Sequence, residues 1–319
     1  MNIKKGFIVF TLLAAAAGWP VAAEFYAPYR DMRDDGAYVD WLDGHAGITG
    51  RSVSFLDLKL RPYYLQAKEA AEENGRTRLL SFLRELPIDG HRRLGDDPSL
   101  VEKVKRALEK TTAASVEVSG RTPTLTALLK VPLHGDNGIL SLVLAPPASG
   151  EVAAAAAPAS SAADGTVGDA HTGLILDASK TSGAAPSLLP RIVDEKGRAV
   201  YALELVDPIA ARAGGLAAFA TRVEVKEQRP VLHPLEGANP LRVEAVGLTD
   251  RGGTEFVVSA ADADMILKAA AASPFLKECR VLILMPPVRA PAPQHGAVPA
   301  LHPPQPKPPA KPRELEKPR

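Results

Sequence analysis

The sequence has little of what usually marks a specific chemistry or partner. Its 319 residues include a single cysteine, Cys279, so the chain cannot form an internal disulfide. Aromatic residues make up only 5%, which is few for a surface that stacks on bases or sugars. Lys and Arg number 38 against 37 Asp and Glu, so no excess of positive charge attracts nucleic acid. We therefore expect no nucleic-acid partner.

The short motifs of common enzyme and cofactor sites are also missing. The sequence contains no G-x-S-x-G, no H-E-x-x-H, no C-x-x-C and no glycine-rich phosphate or dinucleotide loop. The seven histidines have no spacing that would build a zinc site on one helix. We expect a protein that is not an enzyme, with no catalytic, cofactor-binding or metal-binding residues.

Two charged segments, one acidic and one basic, each allow two interpretations. An acidic stretch can hold calcium through its oxygens, but the EF-hand order is absent, so a solvated acidic segment is the favoured interpretation. Its members are Asp31, Asp34, Asp35, Asp40 and Asp43. The basic triplet His91-Arg92-Arg93 either meets an anion or forms a solvated loop, and we favour the loop.

The stretch TGLILDAS poses the sharpest question, because a carboxylate and a hydroxyl follow an apolar run. His171, Asp177 and Ser179 have the residue types of a hydrolase triad. Asp177 and Ser179 lie side by side, however, with no base between them. Asp177 is better suited to a side-chain-to-backbone turn that ends a strand. Cys279 precedes the apolar run VLILM and is expected to be a buried hydrophobic residue.

Composition divides the chain into five parts. Residues 1–23 have a basic start, an apolar stretch and small residues at 21–23, which is typical of a cleaved signal peptide. Residues 146–170 are rich in Ala, Pro and Ser and are predicted to be a flexible linker. Residues 286–319 contain 12 prolines and are predicted to be a disordered tail. Two α+β domains are predicted between these parts, at 24–145 and 171–285.

Both domains are predicted to be antiparallel sheets with helices on one face. In the first, AYVDWL predicts a strand, Pro62 begins a helix and Asp97-Pro98 caps another. ASVEVSG and TLTALLKVPL predict two further strands. In the second, TGLILDA and VLILM predict buried strands, and Ser259 caps a helix. Two hairpins are predicted there, with turns at 194–197 and 250–253.

These segments resemble known exported envelope proteins. TGLILDAS, SLLPRIVDEKGRAVYALEL, FVVSAADADMI and CRVLIL together resemble a C-terminal domain of bacterial envelope proteins. The first segment is similar to LPP-type outer-membrane lipoproteins and to the flagellar accessory proteins FlgP and FlgT. That likeness is carried by Trp41, the helix with Ala67, Ala70 and Ala71, and VPLHG with Gly138. A lipoprotein cysteine after the apolar run is absent.

The resemblance implies a periplasmic, non-enzymatic structural or assembly protein of the cell envelope, in a flagellar-accessory or outer-membrane-associated complex. Its partners would be envelope proteins or further copies of itself. The alternative is a ligand- or peptidoglycan-binding module tethered by the tail. Basic residues late in that tail can contact peptidoglycan or an anionic membrane, or can simply keep the chain soluble. No transmembrane span is expected after signal cleavage.

Overall fold

The structure is a computed structural model that describes residues 25–33, 35–54, 57–119, 123–144, 170–223 and 239–287. The predicted signal peptide, all but the first two residues of the predicted Pro-rich tail and all but the last residue of the predicted linker lie outside these ranges. In the N-terminal half the elements are, in chain order, β1 (Phe25–Pro28), β2 (Arg30–Met32), β3 (Tyr38–Asp40), β4 (His45–Val53), α1 (Arg61–Leu83), α2 (Pro98–Glu109), β5 (Ser115–Ser119), β6 (Thr124–Pro132) and α3 (Ile139–Val143).

The N-terminal half confirms the predicted antiparallel sheet. Its strands lie in the order β2-β3-β4-β6-β5, and every neighbouring pair is antiparallel. The helix α1 covers one face over β4 and β6, and α2 packs against α1 and α3. Asp97 caps α2 as predicted, because its side chain accepts hydrogen bonds from the backbone N–H groups of Ser99 and Leu100.

The apolar stripe of α1 is made of smaller residues than a core helix usually presents. Ala67, Ala71 and Gly75 are buried, whereas Leu65 and Ala70, at which helical spacing also predicts burial, are exposed. A Cβ built on Gly50 of β4 would lie 2.0 Å from the carbonyl oxygen of Ala71. The backbones of the helix and the strand therefore approach each other closely. Gly75 allows this close crossing because it has no side chain.

The described residues of the C-terminal half form ten strands and α-helices. They are β7 (Gly173–Asp177), β8 (Arg191–Asp194), β9 (Ala199–Tyr201), α4 (Pro208–Gly214), β10 (Ala218–Val223), β11 (Pro240–Glu244), β12 (Gly247–Leu248), β13 (Glu255–Val258), α5 (Ala260–Ala272) and β14 (Val281–Met285). The mixed α+β class is thus confirmed. The buried strands β7 and β14, the hairpin β8–β9 with Gly197 at φ +80, and the Ser259 cap are all present as predicted.

Strand pairing in this half differs from the antiparallel prediction. The sheet β1-β10-β14-β7-β11 has three parallel pairs, and only β1 runs antiparallel to its neighbour. The reason is that β7 and β14 are buried on both faces, as strands of parallel sheets usually are. The second predicted hairpin also differs, because β11 pairs with β7 and only β12 turns back on β13.

The two halves share one buried apolar cluster. Residues 25–32 pass from one sheet to the other, since β1 pairs with β10 and β2 pairs with β3. The rings of Trp41 and Phe219 meet edge to face with centroids 5.7 Å apart. The backbone N–H of Leu189 donates to the carbonyl of Ile88 at 2.8 Å. The predicted boundaries at 24–145 and 171–285 stay predictions, but β1 hydrogen-bonds within the C-terminal sheet.

Candidate functional site

A small cavity lies where the two halves meet. The space open to the centre of a water molecule in it is about 20 Å³. Both halves contribute to its lining, which consists of Trp41, Gly44, Leu133, His134, Leu140, Ser187, Leu188, Gly215, Leu216 and Ala217. We call this the inter-half cavity. Its walls combine leucines with three side chains that can form hydrogen bonds.

Trp41 is positioned by a tight turn directly after β3. Asp40, which is fully buried, accepts hydrogen bonds from the backbone N–H groups of Leu42 and Asp43 at 3.2 and 2.9 Å. Its second carboxylate oxygen accepts from Arg30 Nε at 2.7 Å. This network holds the turn at the edge of the sheet. Trp41 is thereby directed into the core, where its ring is 5% exposed.

His134 follows β6 and lies between two glycines from different halves. A Cβ on Gly44 would lie 1.8 Å from His134 Nε2, and one on Gly215 would lie 3.1 Å from Cδ2. Both glycines have positive φ, at +64 and +81, so a side chain would be strained as well as crowded. Burial lowers the pKa of His134 below its usual value, which favours the neutral imidazole.

Two polar atoms in the lining of the inter-half cavity are buried without a protein partner. Within the described ranges, neither Trp41 Nε1 nor Ser187 Oγ forms a hydrogen bond. Ser187 is 1% exposed and lies in the segment before β8. Its hydroxyl is not hydrogen-bonded to the imidazole of His134. The arrangement is suited to binding a small hydrogen-bonding group.

The structure does not bring together the residues that have the types of a hydrolase triad, His171, Asp177 and Ser179. His171 precedes β7 and Asp177 ends it, so at about 3.3 Å per residue they lie too far apart to exchange a proton. Asp177 Oδ1 accepts from the backbone N–H of Ser179 at 3.0 Å, and Oδ2 accepts from Arg222 at 3.0 Å. TGLILDAS therefore ends in the side-chain-to-backbone turn that the sequence favoured.

In the acidic stretch Asp31, Asp35 and Asp43 are exposed, and Asp40 is buried. Asp40, Asp43 and His45 place one possible ligand atom each within 4.8 Å of one another. Asp40 is fully buried, however, and Arg30 already supplies the positive charge beside it. The Asp40 carboxylate forms the turn that contains Trp41, and Asp34 lies outside the described residues.

His91, Arg92 and Arg93 lie in an exposed turn. Arg92 is ion-paired with Asp89 at 2.6 Å. Arg92 and Arg93 also line a groove of about 660 Å³ between this turn, α2 and α3. Lys103 lies in the same groove, and so do Asp96 and Asp97, so the groove carries charges of both signs.

Cys279 is buried, as predicted. It is 2% exposed, and burial raises the pKa of its thiol to about 11. At neutral pH the thiol is therefore protonated and a poor nucleophile.

Sequence reasoning missed the inter-half cavity altogether. Trp41 was noticed only as part of a resemblance, and His134 only as part of a VPLHG segment. Ser187 entered only as the first residue of SLLPRIVDEKGRAVYALEL, with no role of its own. The three residues come from three separate segments of the chain, and no short motif can contain them.

Fold and cavity together define an α+β protein whose two halves enclose a small polar site. Residues 173–287 are similar to a family described as the second domain of Treponema pallidum Tp0624. The match begins at the first residue of β7 and ends just beyond β14, so β1 is contributed from outside it. A search of curated proteins finds no match to the chain. Within the part of the chain that the structure describes, no helix is long and apolar enough to cross a membrane.

Proposed function

We propose that this is a non-enzymatic, periplasmic structural or assembly protein of the cell envelope. It is exported by its N-terminal segment and binds envelope proteins or further copies of itself. A flagellar-accessory or outer-membrane-associated complex is the setting that the resemblance implies. The proposal is supported by the roles of three candidate residues. Asp177 and Asp40 form turns, and Cys279 is buried in the core.

The observation that carries the proposal is an exposed apolar end of the N-terminal sheet. Val53 ends β4 and is 58% exposed, and Val118 in β5 is 51% exposed. They lie at the same end of the sheet but on opposite faces, because Val53 pairs with Thr124 and Val118 pairs with Leu125, and neighbouring residues of β6 point to opposite faces. Leu60, just before α1, is also exposed. We call Val53, Leu60 and Val118 the apolar end. Exposed apolar residues at one end of a sheet can contribute to a protein-binding surface.

An edge strand borders the apolar end. Among the described strands, β5 has β6 on one side and no neighbour on the other. Its open N–H and C=O groups can pair with a strand from another chain. Glu117 at its centre would face its own copy in a symmetric antiparallel pairing, which disfavours that arrangement. A heterologous contact is therefore preferred.

The test is self-association measured by light scattering after size exclusion. We expect the intact protein to form an oligomer that Val53→Thr combined with Val118→Thr weakens. Val246→Thr is the matched control, because Val246 is 56% exposed but lies in the C-terminal half. The assembly proposal fails if the protein is monomeric and retains no envelope protein on co-purification. If both variants weaken the oligomer equally, assembly does not depend on the apolar end.

The groove beside α2 favours a second candidate, a ligand- or peptidoglycan-binding module. Its volume of about 660 Å³ is in the range of small-molecule sites. Asp96 and Asp97 line the groove together with Arg93 and Lys103, and these two cations suit the carboxylates of peptidoglycan peptides. Pelleting with peptidoglycan at low salt should then decrease in Arg93→Gln with Lys103→Gln, but not in Lys59→Gln. Deletion of residues 300–319 tests the tail separately, since the tail alone would cause any loss there.

A further inference from the structure

We propose that the inter-half cavity binds a single ordered water molecule that joins the two halves. The water accepts a hydrogen bond from Trp41 Nε1–H and is hydrogen-bonded to Ser187 Oγ. Trp41 belongs to the N-terminal half and Ser187 to the C-terminal half. The bound molecule is therefore a link between them, independent of which partner the protein binds.

The need for such a molecule follows from burial. Trp41 is 5% exposed and Ser187 is 1% exposed, and neither polar atom has a hydrogen-bond partner among the described residues. A buried donor that loses water without gaining a partner bears its full desolvation cost. Most buried polar atoms in folded proteins avoid that cost by bonding to protein or to ordered water. Trp41 and Ser187 both line the inter-half cavity, and the proposed molecule would bond to both of their polar atoms.

The volume of the cavity limits which molecules can bind in it. About 20 Å³ is open to the centre of a water molecule, so the cavity has room for a water-sized occupant. A sugar, a peptide or a nucleotide is far too large. The indole N–H can only donate, so the occupant must offer an acceptor, and the hydroxyl can both donate and accept. Water meets all of these requirements.

The surroundings keep the site small and polar. Leu133, Leu140 and Leu216 form its apolar walls, and a cavity with such walls alone would stay dry. The imidazole of His134 borders the same space and can supply a third hydrogen bond. Gly44 and Gly215 leave room for that ring, since a Cβ on Gly44 would overlap it and one on Gly215 would crowd it. Residues from both halves thus shape the site around its two buried polar atoms.

The experiment observes the indole proton of Trp41 directly. The chain contains two tryptophans, Trp19 and Trp41, so Trp19→Phe in the full-length protein leaves one indole signal. We expect a nuclear Overhauser effect between long-lived water and the Trp41 Nε1–H. In Ser187→Ala this effect should fall several-fold, because the water loses one of its anchors. Ser182→Ala, an exposed serine of the same segment, should leave it unchanged.

Three outcomes would overturn the proposal. The first is the absence of a water signal at the Trp41 indole while the Trp19→Phe protein is folded, a result that needs no cavity variant. The second is an undiminished signal in Ser187→Ala. The third is a saturable shift of the indole resonance by sodium formate with loss of the water signal, which would make the cavity a small-anion site instead.

Discussion

Several aspartates that the sequence places near turns are engaged by their own backbone. Asp97, Asp177 and Asp194 each accept hydrogen bonds from N–H groups two to four residues further along the chain. Such bonds favour the charged carboxylate, and the pKa of each of these groups is lowered. At the residue scale, carboxylates that resemble catalytic groups therefore shape the chain.

The first residue-scale prediction concerns Asp177. Burial would raise the pKa of Asp177, but hydrogen bonds from Ser179 and the charges of Arg222 and Lys180 outweigh it and lower the pKa. Asp177→Asn should cost about 1 kcal/mol of unfolding free energy at neutral pH. Because the pKa is lowered on folding, this stabilisation is present above the unfolded pKa of about 3.9 and is lost as the pH falls through the folded pKa.

Urea denaturation at several pH values checks this prediction. The difference between wild type and Asp177→Asn should shrink as the solution is acidified. Asp250→Asn, at an exposed position in a turn, is the control and should change little. A difference that stays constant down to acidic pH would contradict the assignment of the effect to the Asp177 carboxylate.

The second residue-scale prediction concerns His134. Burial lowers the pKa of its imidazole, so the unfolded chain takes up a proton at a higher pH than the folded protein. Stability should therefore fall as the pH drops below the unfolded value of about 6.5. In His134→Asn this part of the pH dependence should disappear, whereas His91→Asn, in an exposed loop, should retain it. Equal slopes in wild type and His134→Asn would refute the prediction.

At the scale of elements, the crossing of α1 over β4 depends on small residues. A Cβ on Gly50 would lie 2.0 Å from Ala71 O and 2.8 Å from Gly75 N, both of which are backbone atoms. Gly50→Ala must therefore move the helix away from the sheet, and we expect a loss of about 1–3 kcal/mol. Gly214→Ala in α4 is the matched control, because no atom lies within 4 Å of its Cβ position. Thermal unfolding compares the two variants.

The start of α5 provides another element-scale prediction. Ser259 Oγ accepts from the backbone N–H of Asp262 at 3.1 Å and donates to the Asp262 carboxylate at 2.7 Å. Ser259→Ala removes this cap and should cost about 1 kcal/mol. Ser259→Asn restores an acceptor and should recover most of the loss. If both variants are equally destabilised in chemical denaturation, the cap is not the source of the effect.

At the scale of the whole molecule, the shared core predicts how a cut chain behaves. The composition of residues 146–170 predicts that a protease cuts there. The two fragments should nevertheless stay associated, because Trp41 packs on Phe219 and β1 pairs with β10. Size exclusion of the nicked protein should give one peak that separates only in denaturant. Fragments that elute apart without denaturant would show that the shared core does not hold the halves together.

Much of the local structure was predictable because its causes are short in sequence. Asp97 caps α2, Asp194 with Gly197 turns the hairpin β8–β9, and Ser259 caps α5. In each case the interacting groups are two to four residues apart, so residue type and spacing are enough to predict the interaction. The apolar runs of β7 and β14 likewise predicted buried strands.

By itself, the sequence determined the α+β class, the caps, the turns and which strands are buried. Tertiary structure decided which strands pair: β1 joins the C-terminal sheet, where Thr221 Oγ1 donates to Ala27 O across 194 residues, and β11 leaves its predicted hairpin for β7. It also created the cavity of Trp41, His134 and Ser187. Apolar burial has no direction, so the pattern marks which residues are inside without saying which will meet.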